Sequence, residues 1–257
     1  GVTSSSGPGI ALKTEAIGLG MATELPLVID NSQRGGPSTG LPTKTEQSDL
    51  YQAVYGRNAD SPLPVLAASS PGDCFDAAIE ATRVAIRHMT PIFLLTDGYI
   101  ANAAGPWALP DMDDYEPIEV NASPATVEDG DDPSLALKKA IWKRDEKSYG
   151  RPWVAPGMEG LAHRIGGLEK DIETGDISYD PANHQAMGEL RAKKVASVAD
   201  FIAWLRPIAK LPEFVLVYAY VTRSTALHTA ADYGPDDPDL AGLLLGAGCD
   251  PAVVTIT

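Results

Sequence analysis

The polar loop of residues 33–50, which we call the arginine loop, carries side chains suited to binding an anionic ligand. Its sequence is Gln-Arg-Gly-Gly-Pro-Ser-Thr-Gly-Leu-Pro-Thr-Lys-Thr-Glu-Gln-Ser-Asp-Leu. Arg34 could bind a carboxylate through two parallel hydrogen bonds, because the guanidinium fork matches the two carboxylate oxygens. Alternatively, Arg34 forms a salt bridge with Glu46 or Asp49 that fixes the loop. Lys44 could be the second cation that a dicarboxylate needs, or it is a solvated side chain.

A second polar segment, the serine turn of residues 4–9, reads Ser-Ser-Ser-Gly-Pro-Gly and lies between a predicted strand and a predicted helix. Backbone N–H groups at such a helix start favour an anion or the polar edge of a ligand. An ordinary tight turn with a serine cap is an equally good interpretation. The segment lacks the Lys-Ser/Thr ending of a P-loop and the spacing of a nucleophile elbow.

Strand and helix patterns alternate through residues 1–100, which predicts an α/β fold with a mostly parallel, doubly wound sheet. The predicted strands cover residues 2–6, 25–30, 63–67 and 91–95. Parallel strands end at one edge of a sheet, so we expect the serine turn and the arginine loop to lie together there. Asp97 ends the fourth strand at the same edge and either orients a ligand or caps the next turn.

The predicted helices cover residues 10–23 and 49–55, and a third begins at Ser70. The third has a serine at its N-cap, proline at the first helical position and aspartate at the third, which is a strong start signal. Its apolar spacing predicts one buried face. The residues expected on that face are Phe75, Ile79, Thr82, Ile86 and Met89.

Composition suggests three regions, at residues 1–110, 111–200 and 201–257. The second begins with an acidic stretch that lacks Lys and Arg, continues with a basic stretch, and is expected to connect two domains through loops and a helix. The third is expected to start a second α/β or helical domain and to run into a tail. In that tail, residues 225–228 (Thr-Ala-Leu-His) and 248–251 (Gly-Cys-Asp-Pro) resemble one ankyrin repeat.

The bulk properties argue against several classes of partner. A formal charge of −15 disfavours nucleic acid, which requires a basic surface. No apolar run reaches the length of a membrane span, so no membrane partner is expected. The two cysteines are too few for an iron–sulfur cluster, and the four histidines lack metal-ligand spacing, so no metal site is expected. Such a low cysteine content fits a cytoplasmic, reducing compartment.

Several of these segments resemble the alpha subunits of 2-oxoglutarate:ferredoxin oxidoreductases, within the thiamine-diphosphate-dependent 2-oxoacid:acceptor oxidoreductases. The segments are residues 3–9, the arginine loop, residues 96–99, residues 160–167 and residues 178–184. The resemblance implies a partial pyrimidine-type thiamine-binding domain. It also implies oxidative decarboxylation of 2-oxoglutarate, with CoA as acyl acceptor and ferredoxin as electron acceptor.

The resemblance also assigns residues to the site. Arg34 matches the family arginine that receives the 2-oxoacid carboxylate, and Lys44 is inferred as the partner of the distal carboxylate. The substrate-binding residues are expected to be Arg34, Ser38, Thr39 and Lys44. The cofactor-binding residues are expected to be Ser5, Ser6 and Gly7.

The remaining parts of the site are expected outside this chain. A separate beta subunit would hold the diphosphate, the magnesium ion and a [4Fe-4S] cluster. The family's activating glutamate and its Tyr-Pro-Ile-Thr-Pro segment lie upstream of the serine turn, so no catalytic residue is expected here. The chain is interpreted as incomplete at its N-terminus and inactive in isolation. The alternative is a catalytically inactive, truncated or chimeric interaction module.

Overall fold

The computed structural model describes residues 1–120, 132–209 and 215–217. The strands are β1 (Val2–Ser5), β2 (Leu27–Gln33), β3 (Val65–Ala67), β4 (Pro91–Asp97) and β5 (Val215–Val217). They form one sheet in the order β1-β2-β4-β3-β5, in which the first four are parallel and β5 runs antiparallel to β3. The α/β class predicted from the sequence is therefore confirmed.

Helices cover both faces of this sheet. The described helices are α1 (Gly7–Ala11), α2 (Thr14–Ala22), α3 (Leu50–Tyr55), α4 (Asp73–His88), α5 (Pro133–Trp142) and α6 (Pro181–Ala209), with a 3₁₀ turn at Met112–Asp114. All but α5 contribute to the two cores against the sheet. Successive side chains of a strand point to opposite faces, so Val28 of β2 lies in a core with α4 and α6, whereas Ile29 lies in a core with α1, α2 and α3. Strand β4 is buried along its whole length, which explains its continuous apolar sequence.

The helix predicted over residues 10–23 is instead two helices. Helix α1 ends at Ala11 and α2 begins at Thr14, with Leu12 and Lys13 between them. The Lys13 N–H donates to the Ile10 carbonyl at 2.9 Å, and this tight turn separates the two helices. The short α1 thereby places the serine turn directly at a strand end.

Helix α4 begins at Asp73 with Gly72 at its N-cap position, two residues after the predicted N-cap Ser70, and Gly72 makes no side-chain cap. Pro71 and Gly72 form a turn before the helix, and Ser70 nevertheless hydrogen-bonds to its first turn. The Ser70 hydroxyl accepts a hydrogen bond from the Asp73 N–H at 3.2 Å, and the Ser70 carbonyl accepts one from the Cys74 N–H at 3.2 Å. The Asp73 carboxylate reaches back to the Ser69 N–H at 2.7 Å. Side chains thus satisfy N–H groups that a helix start otherwise leaves without partners.

The buried face of α4 differs from the predicted one. The apolar residues that face the sheet core are Ala77, Ala81, Val84 and Ala85. Of the five predicted residues, Met89 alone is buried, and the other four are half-buried. One of these four, Phe75, packs against Trp107 and Tyr115 of the following segment instead. Small side chains let the helix lie close to the sheet, and the larger ones are covered from outside.

Residues 132–209 pack onto the first hundred residues. Helix α6 contributes Val195, Val198 and Ile202 to the core that it shares with α4, and it continues past residue 200. Trp142 and Val154 belong to a smaller core near α5. The division at residues 110 and 200 stays a prediction, and the residues resembling an ankyrin repeat lie outside the described ranges. Among the described helices, none combines the length and apolar character that crossing a membrane requires.

Candidate functional site

The carboxyl ends of β1, β2 and β4 lie side by side, as predicted. Asp30, near the end of β2, connects its two neighbours. Its carboxylate accepts a hydrogen bond from the Ser4 hydroxyl at 2.6 Å and another from the Thr96 hydroxyl at 2.9 Å. The serine turn and the arginine loop both leave the sheet at this edge.

The arginine loop has a defined shape that its own backbone stabilises. The Gly35 N–H donates to the Lys44 carbonyl at 2.9 Å, and the Leu41 N–H donates to the Gly35 carbonyl at 2.8 Å. Gly40 adopts φ +52°, and a Cβ there would lie 1.8 Å from the Gly35 oxygen, so a glycine is required at this position. The Glu46 carboxylate closes the loop by accepting the Gly36 N–H at 2.9 Å.

The returning half of the loop is attached to the end of β4. Gln47 donates to the Asp97 carboxylate at 2.7 Å, and that carboxylate also accepts the N–H groups of Tyr99 and Ile100. Burial opposes ionisation, but these three hydrogen bonds outweigh it and lower the pKa of Asp97. Of the two roles considered for Asp97, its hydrogen bonds favour the capping one.

Arg34 stands at the base of this loop without a carboxylate partner among the described residues. It is half-buried, and its Nε is buried with no hydrogen-bond partner in the described part of the chain. The two acids that could have paired with it are engaged elsewhere, since Glu46 accepts from Gly36 and Asp49 accepts from Asn31. The salt bridge considered as an alternative is therefore not formed, and the guanidinium is available to an anion.

The other expected substrate-binding residues lie on the rim of the loop. Ser38, Thr39 and Lys44 are exposed, and their side chains form no hydrogen bond or ion pair within the described ranges. Ser38 adopts φ +57°, in the left-handed region. The structure places these residues on the same loop as Arg34, and their role in binding substrate stays a prediction.

The expected cofactor residues lie at the start of α1. Ser6 is extended (φ −125°, ψ 176°), and its carbonyl accepts the Ile10 N–H at 3.0 Å, while its hydroxyl forms no cap. The side-chain serine cap considered as an alternative is thus not present. A Cβ on Gly7 would lie 2.8 Å from an oxygen of Asp49, so the turn packs directly against the start of α3.

The sequence predicts Asp49 as the first residue of a short helix and as a possible salt-bridge partner for Arg34, and neither prediction gives the contacts of its side chain. Its carboxylate accepts a hydrogen bond from Asn31 at 3.2 Å, and its N–H donates to the Gln33 side-chain oxygen at 2.9 Å. The pKa of Asp49 is raised, mainly by burial and further by the negative charge of nearby Glu46. The hydrogen bond from Asn31 acts in the opposite direction and is outweighed. Asp49 occupies the N-cap position of α3 without a side-chain cap hydrogen bond, so the preference of aspartate for helix starts indicates its place but not these contacts.

Comparison with known proteins identifies the family of this chain. The sequence model of the pyruvate flavodoxin/ferredoxin oxidoreductases, thiamine-diphosphate-binding, matches residues 1–144. The chain belongs to this family. The match covers all four parallel strands, the serine turn and the arginine loop, so the edge described above is that of a thiamine-diphosphate-binding domain.

Curated family members are similar over much of the chain. The 2-oxoglutarate oxidoreductase subunit KorA of Mycobacterium tuberculosis is 52% identical over 198 residues, which are 77% of this chain and 29% of that protein. The 2-oxoglutarate synthase subunit KorA of Methanothermobacter thermautotrophicus is 29% identical over 244 residues, which are 95% of this chain and 61% of that protein. The second alignment reaches into residues 201–257, where the ankyrin resemblance stays a prediction.

A solved family structure has the same fold. It is described as the 2-oxoglutarate:ferredoxin oxidoreductase from Magnetococcus marinus with 2-oxoglutarate, coenzyme A and succinyl-CoA bound. It matches with a TM-score of 0.66 and 37% identity, covering 78% of this chain and 33% of that chain. The chain therefore spans less than two thirds of the length of each of these three relatives.

Three buried polar atoms at this edge are suited to a polar ligand of the family. Asn31 Oδ1, Gln52 Oε1 and Arg34 Nε have no hydrogen-bond partner within the described ranges. Buried polar atoms are nearly always paired, so two acceptors and one donor left open at one edge fit an aminopyrimidine and a carboxylate. The described residues contain no group of three or more His, Cys, Asp or Glu side chains arranged to hold a metal ion.

Proposed function

We propose that this chain is part of the alpha subunit of a 2-oxoglutarate:ferredoxin oxidoreductase. In this proposal, the complete enzyme decarboxylates 2-oxoglutarate oxidatively, transfers the acyl group to CoA and passes two electrons to ferredoxin. The chain supplies the side of the active site that binds the substrate carboxylate. The similarity to the KorA subunits and to the Magnetococcus marinus enzyme supports this choice of reaction.

The observation that carries the proposal is the unpartnered guanidinium of Arg34. Burying part of an arginine is less unfavourable when its N–H donors have hydrogen-bond partners. The Nε of Arg34 has none among the described residues, and the nearby acids accept hydrogen bonds from other groups. A substrate carboxylate supplies two oxygens in the geometry that the guanidinium fork requires. Substrate binding would therefore satisfy a group that the folded chain leaves open.

Other residues at this edge of the sheet are proposed to contact the substrate or the cofactor. Ser38 and Thr39 would contribute hydroxyl groups on the substrate side, and Lys44 would face the distal carboxylate of a dicarboxylic 2-oxoacid. Ser5, Ser6 and Gly7 would lie against the aminopyrimidine ring of thiamine diphosphate. When bound, that cofactor supplies a nucleophilic carbon and an electron sink for decarboxylation.

The remaining cofactor groups are assigned to a partner subunit. We propose that a beta subunit holds the diphosphate, the magnesium ion and a [4Fe-4S] cluster, and that it completes the site with this chain. A cytoplasmic location goes with this proposal, and a chain with two cysteines supports a reducing compartment. The chain by itself is proposed to be inactive.

Reconstitution tests the proposed function. The full-length subunit that contains this chain is combined with its beta subunit, and reduction of a viologen dye is followed with 2-oxoglutarate and CoA. Dye reduction that requires both compounds is expected, with pyruvate as the comparison 2-oxoacid. If both subunits fold and associate without such activity, the proposal fails and an interaction role replaces it.

A further inference from the structure

Asp49, near the end of the arginine loop, contacts both the serine turn and the base of its own loop. Its carboxylate packs on Gly7, where an added Cβ would lie 2.8 Å from Oδ2 and 3.0 Å from Oδ1. Its N–H donates to the side chain of Gln33, the residue directly before Arg34, at 2.9 Å. The serine turn and the base of the arginine loop are separate in sequence, and Asp49 contacts the first through its side chain and the second through its backbone.

Gln33 and Gln52 make further hydrogen bonds near the two contacts of Asp49, which we call the Asp49 junction. The Gln33 side chain also donates to the Thr96 carbonyl at 3.2 Å, which ties the base of the arginine loop to β4. On the other side, Gln52 donates to the Gly7 carbonyl at 3.4 Å, a long hydrogen bond that comes from the same first turn of α3. The start of α3 therefore contacts Gly7 twice, through Asp49 and through Gln52.

Asn31 makes the Asp49 carboxylate difficult to replace. Asn31 is fully buried and donates to Asp49 at 3.2 Å, while its own Oδ1 has no partner among the described residues. Loss of the carboxylate would leave both polar atoms of this buried amide without a partner. Because an unsatisfied buried polar group is unfavourable, the surrounding backbone would shift to relieve it.

We propose that Asp49 is a positioning residue that holds the serine turn and the arginine loop in one fixed arrangement. The inference rests on the proposed function, in which the two segments serve one active site. Asp49 acts through Gly7 and Gln33 and does not itself touch the substrate. It determines where Arg34 stands relative to the residues that face the cofactor.

Amide hydrogen exchange on the full-length subunit in its complex tests this inference. The variant is Asp49→Ala, and the matched control is Glu46→Ala, an acid of the same loop that accepts only the Gly36 N–H in the described structure. Asp49→Ala keeps the N–H that donates to Gln33 but loses the hydrogen bond from Asn31 and the packing on Gly7. The resulting backbone shift is expected to make the amides within residues 6–11 (Pro8 has none) and 33–36 exchange about tenfold faster together, the factor typical of losing a hydrogen bond to a charged group. In the control, acceleration is expected at residue 36 and its neighbours, with residues 6–11 unchanged.

A conservative variant separates positioning from charge. Asp49→Asn keeps an oxygen that can accept from Asn31, so exchange at residues 6–11 is expected to stay at the wild-type rate. If Asp49→Ala does not fold, Asn31→Ala breaks the same junction from the opposite side, and the same paired acceleration is expected. In the active complex, Asp49→Ala is expected to raise the KM for 2-oxoglutarate and to weaken thiamine diphosphate binding together.

Two results would overturn the inference. One is unchanged exchange at residues 6–11 in folded Asp49→Ala, and the other is equal acceleration there in Glu46→Ala. Exchange is measured without turnover, so it remains informative even if 2-oxoglutarate proves not to be a substrate. Failure of the proposed function and failure of this inference are therefore separate results.

Discussion

Glu24 and Lys194, which lie 170 residues apart in sequence, form an ion pair of 2.7 Å with both side chains 6% exposed. Arg144 contacts the other oxygen of the same carboxylate at 2.6 Å. Burial opposes the charge on Glu24, but the two cations outweigh it and hold the pKa of this carboxyl well below its usual range. Lys170 adds a hydrogen bond to the Ala22 carbonyl at the end of α2, and so residues 132–209 are attached to the first hundred residues.

Replacing Glu24 is expected to destabilise the fold strongly. Glu24→Gln would leave Arg144 and Lys194 buried without an anion, and breaking a buried ion pair in this way costs about 3–5 kcal/mol. Urea denaturation of the purified chain measures the free energy of unfolding.

The control for Glu24 is an exposed glutamate in a salt bridge of similar length. Glu173 pairs with Lys139 at 3.0 Å, with side chains 67% and 53% exposed. Glu173→Gln is expected to cost less than about 1 kcal/mol, because water screens exposed pairs. Equal losses for the two variants would contradict the assignment of Glu24 as an anchor.

The protein is expected to lose stability under mildly acidic conditions because of the buried His88. The ring is fully buried, and its Nδ1 lies 3.0 Å from the Ser148 carbonyl, so Nδ1 carries the proton of the neutral ring. Burial lowers the pKa of His88 from 6.5 to about 4. Between these values the unfolded chain binds a proton that the folded chain does not, so stability decreases as the pH falls, by up to about 3 kcal/mol.

Urea denaturation across that pH range, on the wild type and His88→Gln, checks this expectation. Glutamine can still donate to Ser148, while it removes the titrating group. The variant is expected to lose part of the pH dependence seen in the wild type. Parallel curves for the two proteins would show that His88 does not cause it.

Two glycines are expected to respond in opposite ways to alanine. A Cβ on Gly150 would lie 2.3 Å from the Arg87 carbonyl oxygen, and backbone would have to shift, at a cost of about 1–3 kcal/mol. Gly188, within α6, has open space around the added carbon, and alanine there should gain about 1 kcal/mol from helix propensity. Thermal unfolding midpoints check both signs, and a stabilised Gly150→Ala would contradict the described packing.

The four parallel strands, and the edge at which the serine turn and the arginine loop meet, could be predicted from the sequence. Apolar runs gave the strands, and the rule that parallel strands end at one edge brought the serine turn and the arginine loop together. Prediction failed for the buried face of α4, because that face consists mostly of alanines, which a pattern of large apolar residues does not reveal. Ala81 and Ala85 are buried for their small size.

Partner choice among side chains could not be predicted. Arg34 had two acids within its own loop, and only the folded structure assigns Glu46 to Gly36 and Asp49 to Asn31. The same holds for Glu24, whose cations come from positions 120 and 170 residues later in the chain. Such pairs depend on how segments that are distant in sequence pack together, and the local sequence does not predict this packing.

Binding of a 2-oxoacid carboxylate by Arg34 can be measured through the kinetics of Arg34→Lys in the reconstituted enzyme. Lysine keeps the positive charge but lacks the fork that binds two oxygens. For Arg34→Lys we expect kcat/KM for 2-oxoglutarate to fall by about 100-fold through a higher KM, because one to two charge-assisted hydrogen bonds are lost. Subunit association and thermal stability should stay at wild-type levels. Unchanged kcat/KM, or loss of subunit association, would contradict this role of Arg34.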